Sequence, residues 1–146
     1  MISDTISKQI TEAMKAGDEI RVSTLKLLSS ALHNAKIEKR EDLTKEEELK
    51  IVQQEAKKRR DAAEVYKKSG ADGRAEKEKK ELKILQEFLP KEVSDEELEK
   101  IVTQMVKETG ASGMADMGRA IGAVMKKVGG RADGKKVAEM VGSKLK

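Results

Sequence analysis

Glycines and bases converge most tightly at Gly129-Gly130-Arg131-Ala132-Asp133-Gly134-Lys135. A glycine, four residues and then Gly-Lys is most of a nucleotide phosphate loop. Such a loop also needs a Ser or Thr hydroxyl for magnesium and a buried strand before it. Here Lys136 stands at the hydroxyl position, and no strand pattern precedes the loop. Nucleotide hydrolysis therefore does not follow. A simpler chemistry does: free N–H groups at a helix start, with Arg131, Lys135 and Lys136 around them, can hold a phosphate without catalysis. The competing reading makes Gly129-Gly130 a helix stop and Asp133 an N-cap, which would occupy the same N–H groups. Both readings stand on the sequence.

The surroundings enlarge this patch. Between Gly110 and Lys146 lie Arg119, Lys126, Lys127, Arg131, Lys135, Lys136, Lys144 and Lys146 against Asp116, Asp133 and Glu139, a net +5. The other 109 residues hold 23 bases and 24 acids. Gly118 and Gly122 lie four apart, where each costs a helix about 1 kcal/mol relative to alanine. They make a smooth face, either for a helix of the same unit or for a nucleic-acid backbone or partner helix. With Gly130 and Gly134 they are the positions of close backbone approach. The candidate nucleic-acid contacts are Arg119, Lys126, Lys127, Arg131, Lys135 and Lys136.

Catalytic chemistry finds less support. There is no cysteine, and His33 is the single histidine, so neither a thiolate nor a histidine-based metal site can be assembled. No activated nucleophile is visible. No cofactor or metal is expected. Lys57-Lys58-Arg59-Arg60 splays around a helix rather than forming one patch. Arg59 falls within the stripe Val52, Ala56, Ala63, Tyr66, which reads as a buried or half-buried arginine paired with a carboxylate of a neighbouring helix. Glu78 sits likewise in the next helix, opposite Tyr66 if the two form a hairpin.

The elements that must position these groups are all helical. A first helix spans about 2–16, capped by Ser3 or Asp4, with Ile2, Ile6, Ile10 and Met14 inward and Gly17 ending it. A second runs from an Asp18 cap to about Lys39, and residues 40–43 turn. Thr44 with Glu47 forms a capping box for a long third helix to about Ser69. Gly70 to Gly73 make a tight turn, and a fourth helix reaches Leu89, stopped by Pro90. Ser94 with Glu97 opens a fifth, from Asp95 to Thr109, with Gly110 as its C-cap. Ser112 caps a sixth, with Met114, Met117, Ile121, Val124 and Val128 inward. Asp133 caps a seventh, with Val137, Val141 and Leu145 inward. The expected fold is all-α: a helical array at 1–90 and a small three-helix unit at 94–146.

Charged residues make up 40 % of the 146, and Tyr66 and Phe88 are the aromatics. Acids alternate with bases over apolar residues at helical spacing, which suits long solvated helices on a thin aliphatic core. No apolar stretch approaches a membrane span or a signal sequence. The expectation is a soluble, cytoplasmic protein.

Five stretches, with Glu78 between the second and the third, resemble the GatB/YqeY family. Residues 21–40, Arg59-Arg60-Asp61 to Tyr66, and Leu85-Gln-Glu-Phe-Leu-Pro90 are similar to its start and middle. Thr109 to Gly118 and Gly130-Arg-Ala-Asp-Gly-Lys-Lys-Val137 are similar to its C-terminal signature. The resemblance implies a helical N-terminal part and a three-helix C-terminal unit. It also relates the chain to the tail of the GatB component of the glutamine-dependent aminoacyl-tRNA amidotransferase, where this tail grips the outer corner of tRNA. The implied partners are tRNA and an aminoacyl-tRNA-handling enzyme. The family name also carries a carbon–nitrogen ligase activity with glutamine as amido donor, whose catalytic cradle has no counterpart in this sequence. The reading is a non-catalytic tRNA-binding or tRNA-enzyme accessory protein. The rival is a protein–protein adaptor whose bases only keep its helices soluble.

Overall fold

The computed structural model describes residues 1–145. These form seven α-helices and one short 3₁₀ turn, without a strand among the described residues: α1 (Ile2–Ala16), α2 (Glu19–Lys39), α3 (Lys45–Lys68), α4 (Asp72–Gln86), α5 (Asp95–Thr109), the 3₁₀ turn Met114–Asp116, α6 (Met117–Val128) and α7 (Gly134–Leu145). The fold is all-α, as expected. The chain divides into two compact units, Met1–Leu89 and the remainder from Pro90.

In the first unit α1 to α4 enclose Ile6, Leu28, Leu32, Val52, Ala56 and Leu85, with Ile2, Ile10, Leu82 and Phe88 at the margin. The local signals act as their chemistry requires. Asp18 accepts from the Arg21 N–H at 3.1 Å. Thr44 and Glu47 exchange both bonds of a capping box, 3.2 and 2.9 Å. Gly17 and Gly70 take the left-handed conformation. So does Arg40, at φ 66°, ending α2 where a glycine would be easier.

Four expectations need correction here. Neither Ser3 nor Asp4 caps α1. The Ser3 N–H instead donates to the buried carboxylate of Glu48 on α3, at 2.7 Å. Met14 faces solvent, and Ala13 takes its place in the core, because the stripe drifts with the 3.6-residue turn. Gly73 lies inside the first turn of α4, which begins at Asp72. That helix stops at Gln86, three residues before the expected end, in a tightened turn ahead of Pro90.

In the second unit α5, α6 and α7 close over Leu98, Val102, Met105, Ala120, Val124, Val128, Val137, Val141 and Leu145. Ser94 Oγ accepts from the Glu97 N–H at 3.2 Å, so one bond of the expected box is present. Gly110 ends α5 in the left-handed conformation. Ser112 does not cap α6. Its own N–H donates to Asp116 Oδ2 at 3.1 Å, which folds residues 112–116 into the 3₁₀ turn and leaves Met114 exposed rather than inward.

Candidate nucleic-acid interface

The core turns α6 so that Ala120, Val124 and Val128 are buried. At 100° per residue the opposite face carries Gly118, Gly122 and Lys126 in line, with Arg119 beside them, and all four are exposed. A methyl group built on Gly118 or Gly122 would meet nothing within 4 Å. Neither glycine therefore serves helix packing inside the unit, the first of the two readings that the sequence left open. A buried glycine lies instead at Gly142 on α7, where an added Cβ would be in ordinary contact, 3.4 Å from Met117 Cε. The sequence reading missed it. Its spacing after Val137 and Ala138 on the apolar side of α7 was the available signal.

Arg119 is held over this face by Asp116, at 3.3 Å. The same carboxylate fixes the preceding turn through Ser112. Lys126 forms no ion pair among the described residues. Lys127 likewise has none and lies about 100° away, on the flank. Both sit in the last turn of α6, where the helix dipole favours positive charge.

The turn after α6 differs from the phosphate loop that its sequence suggests. Gly129 and Gly130 both have positive φ, 57° and 83°, and reverse the chain. Arg131 folds back: its backbone N–H and its Nε donate to the Val128 carbonyl at 3.1 and 3.0 Å, and its own carbonyl accepts from Val93 N–H at 2.7 Å. Asp133 Oδ1 accepts from the Lys135 N–H at 3.3 Å, and its carbonyl accepts from Val137 N–H at 3.0 Å. Asp133 thus occupies the start of α7. Lys136 pairs with Asp95, whose carboxylate raises the lysine pKa through a direct hydrogen bond. Lys144 reaches Glu99 at 3.5 Å. Lys146 lies outside the described residues.

The candidate bases therefore fall into two groups. Arg119 and Lys126 share one smooth face with Gly118 and Gly122. Arg131, Lys135 and Lys136 are placed with Gly130 and Gly134 at the α6–α7 turn, where protein groups already take up much of their bonding. Lys127 stands between them.

In the first unit, Arg59 is partly buried and paired, as its place in the stripe implied. Its Nη1 lies 3.3 Å from Glu78 Oε2 and 3.3 Å from Glu81 Oε2. Glu81 was missed, although it lies three residues after Glu78 and four before the core Leu85. Tyr66 lies beside Arg74, whose guanidinium carbon is 5.9 Å from the ring centre. His33 is exposed. The described residues hold no group of three or more His, Cys, Asp or Glu side chains suited to a metal, and no helix among them is long and apolar enough to cross a membrane.

Comparison with known proteins places the chain in a family. An uncharacterized protein of Schizosaccharomyces pombe is 30% identical over 90 residues, which is 62% of this chain and 73% of the yeast protein. The family model described as Yqey-like protein matches residues 3–145, and the chain belongs to that family.

Proposed function

We propose that this protein is a non-catalytic tRNA-contacting accessory protein, working through the exposed face of α6. The observation that carries the reading is the pair Gly118 and Gly122, open to solvent and bordered by Arg119 and Lys126. Two helical glycines cost about 1 kcal/mol each relative to alanine, and no packing within the unit recovers that cost. A sugar–phosphate backbone laid against such a strip approaches the helix closely, and the flanking bases neutralise its charge. Lys127 extends the contact, and Lys135 and Lys136 continue it across the turn. Arg131 serves mainly to fix that turn.

The family resemblance supports tRNA as the nucleic acid, an aminoacyl-tRNA-handling enzyme as a partner, and the cytoplasm as the place of action. Amide transfer belongs, in this reading, to the larger enzyme and not to this chain.

A filter-binding titration with folded tRNA tests the proposal. Each phosphate contact releases counterions, so affinity falls in log–log proportion to salt by about 0.7–0.9 per contact. Three to five contacts give a slope between about −2 and −4.5. Absence of binding at low salt leaves the adaptor reading in its place.

A further inference from the structure

Outside the α6 face, α2 presents a second surface without a partner. Ile20, Ser23, Leu27, Ser30, Asn34 and Ile37 follow one another at 3-4-3-4-3 spacing, which is the seam of a two-helix coiled coil. None is charged, in a chain that is 40 % charged. The seam does not face the core of its own unit. Leu27 is 50% exposed and Ile37 is 61% exposed, Ser23, Ser30 and Asn34 are exposed, and Ile20 is half-buried. The buried residues of α2 are Thr24, Leu25, Leu28 and Leu32, on another side.

We propose that this seam is a self-association surface, on which α2 of a second copy lies antiparallel across a two-fold axis. Reversal of the seam pairs Ile20 with Ile37, Ser23 with Asn34 and Leu27 with Ser30, each twice. Apolar layers then close both ends, and hydrogen-bonding pairs lie next to them. Charge selects this occupant and its direction. Glu19 opens α2 and Arg40 is its C-cap, so the two opposite charges stand at opposite ends of the seam. Both are exposed, and neither forms an ion pair among the described residues. An antiparallel copy places Glu19 beside the partner's Arg40 at both ends. A parallel copy places acid against acid and base against base. The seam from 20 to 37 is about 26 Å long, so the interface is of the small, transient class.

The chain has no cysteine, which gives a clean test on the whole chain. Sedimentation equilibrium from about 1 μM to about 1 mM should show the mass rising from 16.1 kDa toward twice that value. The double variant Leu27→Lys, Ile37→Lys should stay monomeric with an unchanged melt, since both side chains are exposed. A mixture of Ser23→Cys and Asn34→Cys chains, treated with a short bis-maleimide, should yield a crosslinked heterodimer. Either chain alone should give none. A monomer at every concentration overturns the proposal, and so does association that survives the double lysine variant. Crosslinking of the Ser23→Cys chain with itself, as efficient as that of the mixture, overturns the antiparallel arrangement.

Discussion

The guanidinium of Arg59 on α3 and the carboxylate of Glu81 on α4 meet at 3.3 Å, and the same nitrogen holds Glu78 at 3.3 Å. One cation thus serves two carboxylates inside the α3–α4 hairpin. Glu81 is 5% exposed, and its Oε2 has no hydrogen-bond partner in the fold. Removal of the cation leaves two poorly hydrated acids facing each other. Arg59→Ala is expected to lower stability by about 3–5 kcal/mol, the cost of an uncompensated buried charge. Lys57→Ala and Lys67→Ala, on exposed positions, should each cost under about 0.5 kcal/mol. Thermal melts check this, and three coincident curves contradict it.

The same triad gives a pH dependence with a definite sign. Burial, then the neighbouring Glu78, raises the Glu81 pKa above its ordinary 4.5, while Arg59 opposes the shift. A carboxyl with a raised folded pKa binds its proton more tightly in the folded state. Its contribution is fully present below the unfolded value and is lost as pH rises through the folded one. Glu81→Gln removes this loss. The melting temperature of the variant relative to the parent should therefore rise as the pH is raised through and above the ordinary carboxylate range. A difference that stays flat over that range contradicts the assignment.

Glu48 replaces a local cap for α1. Its Oε2 takes the Ser3 N–H at 2.7 Å across 45 residues, and the side chain is buried. Glu48→Ala strands that N–H and should cost about 1–3 kcal/mol. Amide hydrogen exchange should accelerate in the first turn of α1. Glu48→Gln keeps an acceptor oxygen and should retain most of the protection.

On α6, Gly118→Ala and Gly122→Ala should each raise stability by about 1 kcal/mol, because a helical glycine is replaced where nothing obstructs the methyl group. Denaturant midpoints measure this. Destabilisation by either substitution would mean that the glycines serve packing after all.

How far the sequence discloses this molecule depends on how local each signal is. Thr44 with Glu47, Asp18, Ser94, Gly17 and Gly110 end or begin helices through contacts three or four residues away, so their roles are legible in one dimension. Glu48 is not, because its partner lies 45 residues distant and the short local motif at Ser3 and Asp4 points elsewhere. Met14 and Met114 have apolar side chains at nearly correct spacing. The drift of the helical turn displaces the first, and the Asp116–Ser112 bond displaces the second. The bases of the candidate site are visible in the sequence as types. Their grouping is not, because only the folded α6 reveals that Gly118 and Gly122 turn away from the core. The phosphate-loop spelling at Gly129–Lys135 does not disclose that Asp133 Oδ1 accepts the Lys135 N–H at the helix start.

The proposed contact of the open α6 face with tRNA is tested most directly by a bulky side chain placed there. Gly122→Leu adds a large side chain at an exposed position with nothing within 4 Å of the added Cβ, so the fold should be retained by circular dichroism and by melt. In filter binding at fixed low salt, its affinity for folded tRNA should fall at least about tenfold, the equivalent of about 1.4 kcal/mol. Lys50→Leu, on an exposed position of α3, should bind as the parent does. Equal affinity of parent and Gly122→Leu, or no association of the parent with tRNA, would contradict the account.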